Sequence, residues 1–336
     1  MTVTAREYIL AARPQGEPTA QCFRLAEREL PDPGPGQVLV RNETLSVDPY
    51  MRGRMNDVPS YVPPFQLDAP LEGGAVGTVL ASGDPAVPVG AQVLHMAGWR
   101  DHALIPAKHA TVIDTTRAPA ARYLDALGTN GLTAWGGLLI AAEFKPGDTV
   151  FVSGAAGSVG SLAGQIARLK GAARVIGSAG GPDKAALVTE RFGFDAAIDY
   201  RTGNLRAQLA AAAPDGIDVY FDNVGGDHLQ AAISVANRHA RFALCGAIAQ
   251  YNETEAPCAP RNLSLAIGKR LTLRGFIVFD YQPRFAEFAA EMGGWLADGS
   301  VTVAETVRHG LEATPQAFLD LFRGANTGKM LVTLDT

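Results

Sequence analysis

A glycine-rich turn between an apolar strand and a helix constrains the fold of this chain more than any other feature. The apolar run Thr149–Ser153 predicts a strand, and Val159–Lys170 repeats apolar residues with helical spacing. Between them, Gly154, Gly157 and Gly160 recur at every third position. In a β-α-β unit such glycines permit a tight turn, a close backbone approach to a pyrophosphate, and close packing of the helix on the strand. The motif therefore predicts a parallel sheet that binds a dinucleotide.

Predicted strands and helices alternate after this turn. The further strands are Arg174–Ser178, Ala196–Tyr200, Asp218–Asn223 and Arg241–Cys245, and the further helices are Asp183–Phe192, Leu205–Ala213 and Asp227–His239. Consecutive β-α-β units with near-continuous apolar strands form parallel sheets covered by helices on both faces. We therefore expect an α/β, doubly wound sheet.

The first third of the chain is rich in predicted strands instead. Short β-branched runs such as Gln37–Asn42 and Gly77–Leu80 lie between turn clusters, and 12 of the 21 prolines precede residue 90. This pattern predicts a small barrel or sandwich. Short strands are predicted again at Val301–Ala304 and Lys329–Thr333, around a helix over Pro315–Phe322. We expect this last segment to fold back onto the first domain.

Charge and cysteine content exclude several classes of partner. The 336 residues carry a net charge of −5 without a basic block, so neither nucleic acid nor an anionic membrane surface is an expected partner. No apolar stretch approaches the roughly 20 residues of a membrane span. The three cysteines form no C-x-x-C pattern, and the first residues lack the apolar region of a signal peptide. These features predict a reducing, cytoplasmic location.

The histidines and cysteines predict no metal site. Catalytic zinc needs a constellation of cysteine, histidine and carboxylate ligands, and neither H-E-x-x-H nor C-x-x-H occurs here. We interpret each histidine as a surface or capping residue. A G-x-S-x-G nucleophile motif is also missing, which excludes that route to acyl transfer. The histidines are His95, His102, His109, His228, His239 and His309.

The second strand of the predicted sheet indicates which dinucleotide binds. An NAD site usually places an acid at the end of this strand, but Arg174–Gly181 is followed by no acid before Asp183. Ser178 and Lys184 instead supply a hydroxyl and a cation, which suit a 2′-phosphate that a carboxylate would repel. The sequence therefore favours NADP over NAD.

Several motifs taken together resemble one family. They are Leu45–Met55, Gly131–Ala134, Gly154–Gly160, Phe221–Gly226, Cys245–Asn252, Arg274–Val278 and Gly324–Lys329. This set resembles the zinc-independent medium-chain dehydrogenase/reductases, in the group of prostaglandin reductases, plant alkenal double-bond reductases and bacterial curcumin reductases. The resemblance implies a GroES-like β-rich domain over residues 1–123 and 306–336, into which a Rossmann NADP-binding domain over residues 124–305 is inserted. It also implies a homodimer, and we expect the strand around Leu271–Phe276 to be the pairing edge.

Position by position, the resemblance implies a site for NADP(H). The residues expected at the pyrophosphate are Ala156, Gly157, Ser158 and Val159, and those expected at the 2′-phosphate are Lys184, Ser178 and Tyr200. The residues expected around the nicotinamide half are Asn223, Cys245, Gly246, Ala247, Ile248, Tyr251, Phe276, Ile277, Val278 and Asn326. Two departures from the family pattern are Asn130 and Trp135, where proline and tyrosine are commoner.

The activity that the resemblance implies is NADPH-dependent reduction of the C=C bond of a small α,β-unsaturated ketone or aldehyde. Tyr251 and Tyr50 are the expected catalytic residues. The resemblance implies that Tyr251 bonds the nicotinamide ribose hydroxyl, which in turn faces the developing enolate oxygen, and that Tyr50 is a second phenol across the pocket. A phenol that is protonated at neutral pH can donate such hydrogen bonds. From the residues alone, a turn-anchoring role for Tyr50 and a loop-packing role for Tyr251 are favoured. Two alternatives stay open, namely a quinone reductase of the same superfamily and a non-catalytic NADPH-binding protein.

Overall fold

Two compact units make up the chain. In the computed structural model, which describes residues 2–334, the first unit comprises the chain up to Leu124, the segment Glu305–Asn326 and the chain from Met330 onward. The second unit comprises Asp125–Ala304 and Thr327–Lys329.

The strands are named in chain order. They are β1 (Val3–Leu10), β2 (Phe23–Leu30), β3 (Gln37–Ser46), β4 (Ala75–Ser82), β5 (Gln92–His95), β6 (His102–Pro106), β7 (Thr111–Val112), β8 (Thr149–Val152), β9 (Arg174–Ala179), β10 (Ala196–Asp199), β11 (Ile217–Asp222), β12 (Ala236–Leu244), β13 (Thr272–Gly275), β14 (Glu305–His309) and β15 (Lys329–Thr333).

The helices are named in the same way. They are α1 (Met51–Arg54), α2 (Thr129–Gly136), α3 (Ser158–Leu169), α4 (Pro182–Glu190), α5 (Leu205–Ala212), α6 (Gly226–Val235), α7 (Leu265–Lys269), α8 (Phe285–Ala297) and α9 (Thr314–Phe322). Across residues 2–334, none of the helices has both the length and the apolar character that crossing a membrane requires.

The second unit is built on a six-stranded parallel sheet. The strand order is β10-β9-β8-β11-β12-β13, and each neighbouring pair runs parallel. This is the 3-2-1-4-5-6 order of the Rossmann fold. It confirms the doubly wound sheet that the alternating pattern predicts. The order reverses between β8 and β11, so a crevice for a ligand is expected at the carboxyl ends of these two strands.

The helix after β8 buries the apolar face that its periodicity predicts. Leu162, Ala163, Ile166 and Ala167 of α3 are each no more than 1% exposed. Gly164 brings this face close to its neighbour, because a Cβ at that position would overlap the ring of Phe194. The missing side chain at this position therefore lets α3 pack closely against Phe194.

The first unit is rich in β-structure, as the proline distribution predicts. Its larger sheet has the order β14-β15-β3-β4-β5-β7, with β6 also pairing with β3, while β1 and β2 form a separate antiparallel pair. Antiparallel pairing of β15 with β3 brings the last strand into the larger sheet. Three buried aromatic rings join α9 to the strands, since Trp99 lies 5.4 Å from Phe23 and 5.8 Å from Phe318 between ring centroids.

One predicted helix ends earlier than its sequence suggests. The prediction extends from Asp227 to His239, but α6 ends at Val235 and β12 begins at Ala236. The ammonium of Lys269 donates to the carbonyl oxygens at the end of this helix, those of Ile233, Ser234 and Ala236, at 2.7–3.0 Å. A lysine that follows more than thirty residues later thus stabilises the helix end, which local periodicity could not reveal.

The predicted strand Val301–Ala304 is wrong. The strand in this region is β14, which begins at Glu305. The backbone of Thr302 is bound by a side chain instead of a neighbouring strand. Gln165 accepts from the Thr302 N–H at 2.7 Å and donates to its carbonyl oxygen at 2.9 Å. The side-chain amide of Gln165 therefore satisfies the two backbone groups that a neighbouring strand would otherwise bind.

Two of the histidines, for which the sequence predicts a surface or capping position, are buried. His95 is 3% exposed and His228 is 6% exposed. His95 Nδ1 accepts from the Ala97 N–H at 3.1 Å, so His95 combines a loop-capping role with full burial. Burial, aided by the charge of Arg100, lowers the pKa of His95 from 6.5 to about 4. The imidazole is therefore neutral in the fold at neutral pH.

We expect His95 to make the protein sensitive to acid. Its pKa is lower in the folded state than in the unfolded state, so the stabilisation is complete above pH 6.5 and is lost as the pH falls toward 4. About 2.5 pKa units correspond to a loss of about 3 kcal/mol of unfolding free energy. Urea midpoints at pH 7 and pH 4 should therefore differ less for His95→Asn than for the wild type. The same difference in His95→Asn and in the exposed control His109→Asn would contradict this prediction.

Candidate functional site

The turn after β8 has the geometry of a phosphate-binding loop. Gly154 adopts a φ of +63°, and a Cβ on Gly160 would overlap the Gly154 carbonyl oxygen. Glycines are therefore required both for the turn and for the close approach of α3. Gly157 precedes the first helical residue, and among residues 2–334 no side chain caps this helix start. Its backbone N–H groups can accordingly face an anion such as a pyrophosphate.

Ser158 uses its hydroxyl to anchor this turn. The Oγ donates to the carboxylate of Asp125 and accepts from Asn130 Nδ2, the latter at 2.7 Å. Its contribution toward a ligand is therefore limited to its backbone N–H at the start of α3. Asn130, a departure from the family pattern, has a local role in holding the turn.

The short segment Thr327–Lys329 packs against the same turn. The Gly328 N–H donates to the Ala156 carbonyl oxygen at 2.7 Å, and the Lys329 N–H donates to that of Ala304 at 2.8 Å. Gly328 has a φ of +63°, and a Cβ there would overlap the backbone of Ala304. Asn326, which the resemblance assigns to the nicotinamide half, belongs to the first unit.

A buried carboxylate organises the turn after β11. Asp222 is 2% exposed, and its Oδ1 accepts from the hydroxyls of Tyr220 at 2.7 Å and Ser153 at 3.1 Å. The same oxygen accepts from the N–H groups of Val224 at 2.9 Å and Gly225 at 2.8 Å. No lysine or arginine within residues 2–334 forms an ion pair with it, so hydrogen-bond donors alone compensate its charge. Sequence reasoning did not identify Asp222 as a site residue.

Ser153 joins this turn to the phosphate loop. Its Oγ accepts from the Asn223 N–H at 2.9 Å, and its carbonyl oxygen accepts from Asn223 Nδ2 at 2.8 Å. The side-chain amide of Asn223 is thus bonded to the backbone of Ser153, the residue that precedes Gly154. The carboxyl ends of β8 and β11 are held together at the point where the strand order reverses.

The loop after β12 is anchored to the same aspartate. The N–H groups of Cys245 and Gly246 both donate to the Asp222 carbonyl oxygen, at 2.8 and 3.0 Å. Tyr251 folds back over this loop, so that its Oη accepts from the Ala247 N–H at 3.3 Å. Ile248 completes the loop by donating its N–H to the Asn223 carbonyl oxygen. The structure thus brings together six residues that are predicted for the nicotinamide half, namely Asn223, Cys245, Gly246, Ala247, Ile248 and Tyr251.

Further predicted residues line the same region from β13. Phe276 lies edge-on to Phe221 with 6.1 Å between ring centroids, and Phe276, Val278 and Cys245 pack against one apolar cluster. Ile277 lies between Phe276 and Val278 in the sequence. Burial raises the pKa of the Cys245 thiol to about 12, so this cysteine stays protonated and is a poor nucleophile.

A cavity of about 500 Å³ opens beside this loop within the second unit. Its walls include Leu229, Tyr251, Cys258 and Pro260. Apolar side chains make up much of its wall and are suited to contact with the apolar part of a bound organic molecule.

Ser178, Lys184 and Tyr200 lie at the ends of β9 and β10. Ser178 is fully buried in β9, and within the described part of the chain its Oγ has no hydrogen-bond partner. Lys184 lies in the first turn of α4, where burial and then the charge of Arg201 lower its pKa. Tyr200 packs edge-on against His228, with 5.2 Å between ring centroids. A buried hydroxyl in β9, without a partner among residues 2–334, and a half-buried ammonium at the start of α4 are the groups that the sequence predicts for an anion site.

Tyr50 lies in the first unit, at the start of α1. It packs against the apolar cluster that contains Met51 and Leu71. Burial, and next the charge of Asp48, raise the pKa of its phenol well above the usual range. Tyr50 is therefore protonated at any physiological pH and can donate a hydrogen bond.

No metal centre is formed by the described residues. Across residues 2–334, no three histidine, cysteine, aspartate or glutamate side chains lie together so as to hold an ion. This holds although one of the two matching family models carries the description "Zinc-binding dehydrogenase".

The comparisons with known proteins cover both units. Residues 6–113 match the family model of the N-terminal domain of oxidoreductase, and residues 158–293 match that of zinc-binding dehydrogenase. The NADPH-dependent curcumin reductase of Escherichia coli is 41% identical over 97% of this chain and 96% of its own length. The NADP(+)-dependent 2-alkenal reductase of Nicotiana tabacum is 41% identical over 89% of this chain and 88% of its own length.

A solved structure has the same fold over its whole length. The crystal structure of CurA from Vibrio vulnificus in complex with NADPH matches with a TM-score of 0.93 and 41% identity, covering 98% of this chain and 99% of that one. Identity at this level along nearly the entire chain confirms the resemblance that the motifs indicate. The chain belongs to the medium-chain dehydrogenase/reductase family of oxidoreductases, in the group that contains the curcumin and alkenal reductases.

Proposed function

We propose that this protein uses NADPH to reduce the C=C bond of α,β-unsaturated ketones and aldehydes. The observation that carries the proposal is the near full-length similarity to two reductases whose names specify NADP(H) and, in one case, an alkenal. The uncapped start of α3 after Gly157 and the anion-compatible end of β9 support the same cofactor.

The residues that would hold the cofactor are those that the resemblance implies. Ala156, Gly157, Ser158 and Val159 would bind the pyrophosphate through the backbone, and Ser178, Lys184 and Tyr200 would bind the 2′-phosphate. Asn223, Cys245–Ile248, Tyr251, Phe276–Val278 and Asn326 would surround the nicotinamide half. Support comes from the shared anchoring of Asn223, Cys245 and Gly246 on the turn at Asp222.

The chemistry divides between the cofactor and the protein. Bound NADPH supplies a hydride for the β-carbon of the substrate. The electrons of the C=C bond then move onto the carbonyl oxygen as an enolate, and a proton from water completes the reaction at the α-carbon. We assign Tyr251 to the nicotinamide ribose hydroxyl that would face this oxygen, and Tyr50 as a second phenol, because a hydrogen-bond donor stabilises the developing charge. Neither role requires a metal ion.

The domain organisation and assembly are also proposals. We assign residues 1–123 and 306–336 to a GroES-like domain and residues 124–305 to the Rossmann domain. We propose a homodimer in which β13 pairs with its equivalent in a second copy. In support of this, β13 is the last strand of the parallel sheet, so among residues 2–334 one of its edges has no neighbour in that sheet.

Steady-state rates with four combinations of substrates test the proposed function. An enone and a quinone are each offered with NADPH and with NADH, and cofactor oxidation is followed by absorbance. We expect the highest kcat/KM for the enone with NADPH. Preference for the quinone would identify a quinone reductase, and tight NADPH binding without turnover of either substrate would identify a non-catalytic binding protein.

Replacing Tyr251 by phenylalanine should lower kcat with little change in the Kd of NADPH. Loss of one donor to an oxyanion costs about 100-fold in favourable cases, and we expect about 10- to 100-fold here because Tyr50 and water remain. Tyr123→Phe is a matched control, since the Tyr123 hydroxyl donates to the Asp114 carbonyl oxygen within the first unit. Unchanged turnover in Tyr251→Phe would remove this phenol from the mechanism.

A further inference from the structure

A second cation reaches the turn that follows β9. A Cβ placed on Gly180 would lie 3.1 Å from Arg201 Nε, and one placed on Gly181 would lie 3.9 Å from Arg201 Nη1. The guanidinium is exposed, and within residues 2–334 it takes part in no ion pair or side-chain hydrogen bond. Its charge contributes to lowering the pKa of Lys184, so the two cations lie near enough to repel each other. Two adjacent cations at the turn that follows a strand are suited to binding an anion.

The carboxylate of Asp199 accepts hydrogen bonds from the backbone of the same turn. Asp199 Oδ1 accepts from the Gly181 N–H at 2.8 Å and from the Arg201 N–H at 3.0 Å. These two bonds fix the orientation of the carboxylate at the turn. Asp199 acts as a positioning residue, because it ties the backbone of Arg201 to the turn at Gly181.

The side chain of Tyr200 also lies against Gly180. The Tyr200 hydroxyl would lie 2.7 Å from a Cβ on Gly180, so this glycine leaves room for both neighbouring side chains. The ring of Tyr200 packs edge-on against the ring of His228. The end of β10 thus presents a hydroxyl and a guanidinium in consecutive residues toward one turn.

We propose that Arg201 is a selectivity residue that binds the 2′-phosphate of the adenosine together with Lys184. This inference rests on the proposed use of NADPH and adds to it a residue that neither the motifs nor the resemblance identifies. A guanidinium can bond two phosphate oxygens through its planar fork, whereas an ammonium acts as a point charge. Because Arg201 is exposed, its contribution should weaken as salt concentration rises.

Binding of two nucleotide fragments tests this proposal without any turnover. Calorimetry with adenosine 2′,5′-bisphosphate and with adenosine 5′-monophosphate is performed on the wild type, R201A, R201K and the control R206A. Arg206 is exposed on the following helix, α5, and belongs to no proposed site. We expect R201A to raise the Kd of the bisphosphate about tenfold and that of the monophosphate less than about twofold. R201K should lie between the wild type and R201A, and R206A should match the wild type.

Two results would overturn the role of Arg201. One is an unchanged Kd of the bisphosphate in R201A, and the other is an equal rise for both nucleotides, which would indicate a merely structural role. If R201A does not fold, R201Q removes the charge while keeping a long polar side chain, and the same criteria apply to it. If the wild type itself binds both fragments equally, the proposed use of NADPH fails, and that outcome is distinct from a failure of Arg201 alone.

Discussion

Replacement of Lys184 by alanine is expected to raise the Kd of NADPH about 10- to 100-fold and to leave that of NADH within about twofold. The ammonium lies in the first turn of α4, half-buried beside Arg201 and close in sequence to the buried Ser178 hydroxyl. A charge-assisted bond to phosphate is worth about 1.5–3 kcal/mol, which gives the expected range. Quenching of protein fluorescence during cofactor titration measures both constants.

Two variants control for indirect effects of the Lys184 substitution. Lys184→Arg keeps the positive charge and should retain most of the preference for NADPH. Lys145→Ala removes an exposed lysine ahead of β8 and should change neither constant. An equal loss of affinity for NADPH and NADH in Lys184→Ala would show that Lys184 supports the fold of the turn and does not select the phosphate.

Replacement of Asp222 by alanine is expected to destabilise the second unit strongly. Four donors lose their acceptor at once, namely the hydroxyls of Tyr220 and Ser153 and two backbone N–H groups. Each unsatisfied buried donor costs about 1–3 kcal/mol, so even with partial relaxation we expect a loss of at least about 3 kcal/mol. Urea unfolding followed by fluorescence measures this loss.

The Asp222 substitution should also abolish tight NADPH binding, because the phosphate loop and the loop after β12 share this anchor. Asp222→Asn retains an oxygen acceptor and should cost less stability, while Asp227→Asn, on the exposed start of α6, should be close to neutral. Normal stability of Asp222→Ala would mean that the hydrogen bonds to Oδ1 contribute little to the fold.

The parts of the fold that follow local rules could be predicted from the sequence. Glycine spacing, strand hydrophobicity and helical periodicity all act within a few residues, so β8, α3 and β9 lie within one residue of their predicted bounds. The end of α6 and the strand expected at Val301 could not be predicted in this way. Lys269 and Gln165 determine them from distant positions in the chain.

The site shows the same division between local and distant contacts. The phosphate loop was predictable because its function depends on backbone conformation, which the three glycines encode directly. Asp222 was not, because its importance depends on Ser153 and Cys245, which only the folded sheet brings to it. Arg201 was likewise missed, since only the fold brings the ends of β9 and β10 together. The signals available in the sequence were an acid at the end of the apolar strand β11 and an arginine shortly after the strand β10.

The most direct test of the account follows the hydrogen that leaves the cofactor. NADPH carrying deuterium on both positions of nicotinamide C4 is incubated with the protein and an enone, and the product is analysed by NMR and mass spectrometry. The account predicts a saturated ketone with one deuterium on the former β-carbon and a solvent-derived hydrogen on the α-carbon. Deuterium on the carbinol carbon of an unsaturated alcohol would contradict it, because the carbonyl group and not the C=C bond would then accept the hydride.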